Sequence, residues 1–138
     1  MTSNSEQNSV IRLAFASDDG ETISQHFGKA QQYAVVTIEK GVIAARELRP
    51  KFSPHSVSDE HNAKELDHNQ RHQLMVDSIN DCQIVIAGGM GVGAQMHFQR
   101  AGLSVLMTEL TSIDEACQAY LNGELKHIPE RLHQSHHR

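Results

Sequence analysis

Residues 82–95 read CQIVIAGGMGVGAQ, an apolar run of strand length, 82–88, that passes through Gly88, Gly89, Gly91 and Gly93 into a helical stretch. A strand that runs through glycines into a helix does not return as a hairpin. It crosses over, so that the next apolar run, LSVLMT at 103–108, lies parallel to it through a right-handed connection. The helix between them spans about 93–100, with Gly102 as its stop.

The remaining segments are read around that unit. VIRLAFA at 10–16 has the β-branched, apolar character of a buried strand. YAVVTIEK at 33–40 and VIAARELR at 42–49 flank Lys40 and Gly41, a hairpin signal, and Pro50 and Pro54 close the second of them. A polar loop at 51–63 leads into a helix that ends near Asn80, with Leu66, Met75, Val76 and Ile79 as its buried positions. Ser112, with Glu115 three residues on, makes a capping box for a last helix that ends near Leu121, before Asn122 and Gly123. The order β-β-β-α-β-α-β-α predicts an α/β fold: a mixed five-stranded sheet, an antiparallel meander plus two parallel strands, with helices on its faces. Residues 10–125 form one domain, residues 1–9 are expected to be disordered, and 126–138 form a polar, His-rich tail.

Composition narrows the function. A net charge of -5 argues against a general nucleic-acid binder. No apolar run approaches a membrane span, and the start MTSNSEQNS lacks the regions of a signal peptide, so a cytoplasmic protein is expected. Two cysteines, Cys82 and Cys117, make neither a disulfide framework nor a CxxC site. The unusual number is ten histidines.

The strand order places a site. With the meander and a parallel fourth strand, three strand ends share one edge: the loop 17–28, the segment after Arg49, and the loop 88–93. Ligands in open α/β sheets bind at such an edge. Cys82 then falls at the opposite edge, and Cys117, on a helix after Ala116, reads as a buried, inert thiol. His61, Glu65, His68 and His72 fall on one helical stripe that continues into Met75, Val76 and Ile79. His68 and His72 have the spacing of two ligands of one metal. The competing reading is a polar, histidine-rich loop with no ligand role. The glycine loop offers close backbone approach at a helix start, which suits an anion. It also fits a tight turn with no ligand, or a dinucleotide site with Glu109 after the next strand.

Taken together, the apolar first strand, the loop ending in His26, Phe27 and Gly28 before Ala30, the aromatic Tyr33 opening the second strand, DCxxVIAGGMGxGA, the following GLxV and the final NGEL form one pattern over about 10–125. It resembles the nitrogenase iron-molybdenum cofactor-binding domain family, with its NifX-, NafY- and NifB C-terminal-like carriers. The resemblance implies a ribonuclease H-like fold and non-catalytic binding of an iron–sulfur or iron-molybdenum–sulfur cluster or its precursor, in transit between donor and acceptor proteins. It assigns a ligand role to His26. The residues themselves add His61, His68 and His72 as further cluster ligands, and Gly89, Met90, Gly91 and Gly93 as backbone contacts, with Met90 also a soft side-chain contact. Ser17, Lys29, Arg49 and His55 are secondary candidates. A preassembled cluster is a bulky anion, and neutral imidazoles plus helix-start amides hold it through few bonds, so it can be handed on. The alternatives are a mononuclear nickel, zinc or iron chaperone or sensor using the histidine loop, and a small-nucleotide binder using the glycine loop. A two-metal nuclease is disfavoured: Asp18 and Asp19 sit at the first strand's end, but the fourth strand ends in glycines.

Overall fold

The computed structural model describes residues 10–51, 75–129 and, as backbone, 132–133. The expected residues 1–9 and the histidine segment 52–74 lie outside the described residues. Strand β1 (Val10–Ser17) is the centre of a five-stranded sheet. It pairs antiparallel with β2 (Gln32–Glu39), which pairs antiparallel with β3 (Val42–Pro50). On its other side β1 pairs parallel with β4 (Ile84–Ala87), and β4 pairs parallel with β6 (Ser104–Met107). The meander and the two parallel additions are those expected from the segment order.

Helix α1 (Val92–Arg100) carries the chain from β4 to β6, and α2 (Ile113–Leu121) follows β6. Both faces of the sheet are therefore covered. On one face Ala14, Ala16, Tyr33, Val35 and Val85 pack with Met75, Val76 and Ile79 and with Ala94 and Phe98 of α1. On the other, Leu13, Phe15, Ala34, Val36 and Ile86 pack against Ile113, Ala116 and Cys117 of α2. A strand buried on two faces has no polar face to alternate with, which is why β1 and β4 read as continuous apolar runs. At the sheet edge β3 is exposed over nearly its whole length.

The local chemistry follows the sequence closely. Lys40 and Gly41 both take left-handed backbone angles, φ 55° and 81°, as a two-residue hairpin requires. Ser112 caps α2, its Oγ accepting the Glu115 N–H at 3.1 Å. The buried Tyr33 hydroxyl donates to the Met75 carbonyl at 3.1 Å and so fixes the end of the segment that returns from residue 74.

Residues 127 and 128 of the polar tail are held at the outer edge of the sheet. Ile128 donates its N–H to the Met107 carbonyl at 2.8 Å, and His127 Nδ1 accepts the Met107 N–H at 3.0 Å, so the tail runs along the outer edge of β6. Beyond it, β7 (Leu132–His133) pairs in parallel with β5 (Met90–Gly91), inside the glycine turn.

Candidate functional site

The two motifs that sequence reading brought to one edge are hydrogen-bonded to each other. Phe27 donates its N–H to the Gly89 carbonyl at 2.9 Å, and Gly88 donates its own to the Ser24 carbonyl at 2.8 Å. The approach is close enough to define the residue type. A Cβ on Gly88 would lie 2.7 Å from the Gln25 side chain and 2.8 Å from its Cα, so only glycine fits without backbone movement. The loop is held from behind as well. Ser24 N–H bonds the Ala16 carbonyl at 2.7 Å, Ile23 N–H the Thr111 carbonyl at 2.8 Å, and Ile113 N–H the Glu21 carbonyl at 3.0 Å.

The 26–28 segment turns into a single 3-10 turn, Phe27–Lys29, that packs on β5. Phe27 is buried, edge-on to Phe98 with centroids 5.4 Å apart and tilted against Tyr33 at 6.0 Å. His26 at its start is exposed, its N–H bonded to Ser24 Oγ at 3.3 Å. The aromatic is thus the anchor and the histidine the part offered at the surface. Gly28 is exposed, and a Cβ there would meet nothing within 4 Å.

Beneath this turn is a residue that sequence reading passed over. Lys51 is 2% exposed, donates from Nζ to the Phe27 carbonyl, and sits 4.1 Å from the centroid of the Phe27 ring. Burial pushes its pKa down to about 8, against the attraction of Asp18, which raises it. Among the described residues no carboxylate forms an ion pair with it. A lysine just after a strand-ending proline reads as solvated loop, and no local signal marks it as buried.

Several candidates are occupied elsewhere. Arg49, proposed to lend charge to the site, is gripped by both carboxylate oxygens of Asp81 at 2.7 and 3.0 Å, by Glu47, and by the Ser78 carbonyl at 3.0 Å. Its guanidinium ties β3 to the turn before β4. Hydrogen bonds from Arg49 hold Asp81 down to about 2. The Met90 side chain is fully buried in the core and supplies no soft contact at the rim; its backbone, with that of Gly91, pairs with the tail. Ser17 is buried, and its Oγ accepts the Gly20 N–H at 2.9 Å, closing a turn. Lys29 lies exposed at the end of the 3-10 turn. Gly89 is buried, Gly91 half-buried at the N-cap of α1, and Gly93 exposed in its first turn. Gly91 at the N-cap has no side chain with which to cap the helix. His55, His61, His68 and His72 lie outside the described residues. The two ends of that segment are nevertheless fixed at this edge, by Lys51 under Phe27 and by Met75 on Tyr33.

The aspartates that a nuclease would need are committed to turns. Asp19 accepts the Glu21 and Thr22 N–H groups, both at 2.8 Å, and the backbone bonds from Thr22 and then Glu21 hold it down to about 2. Asp18 accepts the Gln31 N–H at 2.8 Å. Both cysteines are buried, and burial raises Cys82 to about 12 and Cys117 to about 11. Among the described residues no group of three or more His, Cys, Asp or Glu is arranged to hold a metal ion, and no helix is long and apolar enough to cross a membrane.

The fold and this edge define an open α/β domain whose rim is built from a histidine turn and a glycine turn at the start of a helix. The chain belongs to the family described as dinitrogenase iron-molybdenum cofactor, which it matches over residues 9–123. NifX of Rhodobacter capsulatus is 26% identical over 117 residues, 82% of this chain and 71% of that one. The fold is shared with the crystal structure of PH0822, at a TM-score of 0.65 and 24% identity over 85% of this chain and 94% of that one. It is shared also with the apo form of the orange protein of Desulfovibrio gigas, at a TM-score of 0.58 and 18% identity over 85% and 92%.

Proposed function

We propose that this protein is a non-catalytic carrier that holds an iron–sulfur or iron-molybdenum–sulfur cluster, or a precursor of one, between donor and acceptor proteins. The cluster is cargo. His26 is the ligand from the 3-10 turn, and the leading amides of α1 around Gly91 and Gly93 face the anionic surface of the cluster. His61, His68 and His72 supply further imidazole from the segment anchored at Lys51 and Met75. The observation that carries this reading is the pair of backbone hydrogen bonds joining residues 24 and 27 to residues 88 and 89. They bring the turn that carries His26 and a helix N-terminus to one rim, although residues 24 and 88 are 64 apart in sequence and residues 27 and 89 are 62 apart. Membership of the family and the likeness to NifX support the same cargo.

The arrangement suits transfer. One or a few imidazoles with backbone amides hold the cluster loosely enough for an acceptor to compete for it. The buried thiols, which would bind iron more firmly, are kept away.

Anaerobic purification with analysis of metals, sulfide and visible absorption tests the proposal, with and without added cluster. Brown colour with iron and sulfide is expected, and His26→Ala should retain much less of it. Stoichiometric zinc or nickel without sulfide would replace this reading with a mononuclear metal chaperone. If His26→Ala holds cluster as tightly as the parent, the ligand assignment is wrong.

A further inference from the structure

Lys51 is the one charged side chain among the buried described residues. Its main chain is fixed on both sides: its N–H bonds the Gln31 carbonyl at 3.1 Å, and its carbonyl accepts the Ser78 hydroxyl at 2.8 Å. The ammonium meets the Phe27 carbonyl and lies over the Phe27 ring, so it sits under the turn that His26 opens. That carbonyl also accepts the Ala30 N–H at 3.2 Å, so the turn closes its own hydrogen bond without the lysine. Packing does not require a charge there either. An apolar side chain of similar length would cover the ring without taking an ammonium out of water. Arg12, Arg46 and Arg49 are each met by a carboxylate, whereas Lys51 makes no ion pair among the described residues. Asp18, the acid whose charge acts on it, accepts the Gln31 N–H at 2.8 Å.

We propose that Lys51 sets the sign of the cargo: its buried ammonium places a positive charge under the turn that presents His26, and so favours an anionic cluster over a bare metal cation. This rests on the carrier reading above. An imidazole ligates the iron of a cluster and a free divalent ion alike, so His26 alone does not discriminate between them. A charge shielded from water acts over several ångströms with little screening, and Lys51 need not touch the cargo to select it. A sulfide-surfaced cluster is drawn to it, and a divalent cation is repelled. The desolvation of the ammonium is offset when the anion binds.

Three variants separate charge from packing at about pH 7, where the ammonium is charged because burial lowers its pKa only to about 8. Lys51→Arg keeps the charge, Lys51→Gln keeps an N–H donor without the charge, and Lys51→Met drops both. Each is loaded anaerobically with an iron–sulfur cluster reconstituted from iron and sulfide, and cluster loss is followed by chelator capture of iron. Lys51→Gln and Lys51→Met are expected to shorten retention about tenfold or more, and Lys51→Arg to stay within about threefold of the parent. The reduction potential of the bound cluster should fall in both neutral variants and return in Lys51→Arg, because a nearby positive charge favours the reduced form. Retention or potential unchanged in Lys51→Gln overturns the inference; so does an equal loss in all three variants, which would mark a packing role. Should Lys51→Gln not fold by circular dichroism, Lys51→Met takes its place in this comparison. If the parent protein takes up no cluster, the carrier reading falls, and selection by charge is decided with inorganic phosphate, followed by the amide shifts of residues 26–29 in nuclear magnetic resonance spectra. Phosphate should move them in the parent, and at about tenfold higher concentration in Lys51→Gln. Equal concentrations in both, or no movement in the parent, overturn the inference.

Discussion

Substituting Gly88 by alanine attacks the contact on which the rim depends. The added methyl would stand 2.7 Å from the Gln25 side chain and 2.8 Å from the Gln25 Cα. The side chain swings away only by giving up its hydrogen bond to the Ile23 carbonyl at 3.2 Å, and the Cα moves only if the 24–27 backbone moves. Two main-chain hydrogen bonds cross this contact, Gly88 N–H to Ser24 and Phe27 N–H to Gly89. Overpacking costs about 1–3 kcal/mol and each weakened bond about 1 kcal/mol, giving a loss of about 2–4 kcal/mol after partial relaxation. For a chain of this size about 4 °C accompanies each kcal/mol, so thermal unfolding followed by circular dichroism should shift down by about 8–16 °C. On the proposed carrier function, cluster retention should fall with it, because the turn that carries His26 no longer sits against the glycine turn. Gly28→Ala is the contrast, since a Cβ there meets nothing within 4 Å. It should leave stability within about 0.5 kcal/mol of the parent, or raise it, while adding bulk at the rim. A Gly88→Ala protein with the parent's stability and the parent's cluster retention would refute the coupling of the two loops.

Other consequences follow from the same contacts. Phe27→Ala removes a buried ring packed on Phe98 and Tyr33 and should cost about 3–5 kcal/mol in urea unfolding. Lys51 has its pKa lowered from 10.5 to about 8 by burial, so above pH 8 it binds more protons in the unfolded chain than in the folded one and its contribution to stability rises with pH. The two unfolded thiols lower stability by about the same amount over this window, so between pH 8 and 9 the parent's stability should stay nearly level while that of Lys51→Met falls by about 1 kcal/mol. Ser112→Ala removes the cap of α2 and should cost about 1 kcal/mol, measured the same way. Cys82 and Cys117 should resist a thiol reagent in the native protein and react at the rate of unfolding; fast labelling of either would mean an open core.

The sheet was legible because its signals are local. Continuous apolar runs mark β1 and β4, Lys40 and Gly41 mark the hairpin, and a glycine-rich strand end running into a helix forces the parallel crossover. The convergence of the 26–28 and 88–91 segments followed from strand order alone. What escaped depends on partners distant along the chain. Lys51 is buried because the Phe27 carbonyl and ring accept its ammonium, and nothing in the residues around it signals that. Arg49 looks like a free charge at a strand end until Asp81 and Glu47 are placed beside it. Met90 sits among glycines, a context that suggests an exposed turn, yet its side chain completes the core. The tail has no hydrophobic periodicity, and a two-residue parallel pairing leaves no pattern to read. The histidine stripe at 61–72 falls outside the described residues.

The anchoring of residues 51 and 75 has a consequence for how such a domain diversifies. Both ends of the intervening stretch are pinned, one by a lysine ammonium on the Phe27 carbonyl and the other by the Tyr33 hydroxyl on the Met75 carbonyl. Closing a loop between fixed posts costs only about 0.6 kcal/mol for each doubling of its length. Insertions, deletions and substitutions between those posts are therefore cheap for the scaffold, which accepts them without rebuilding the sheet.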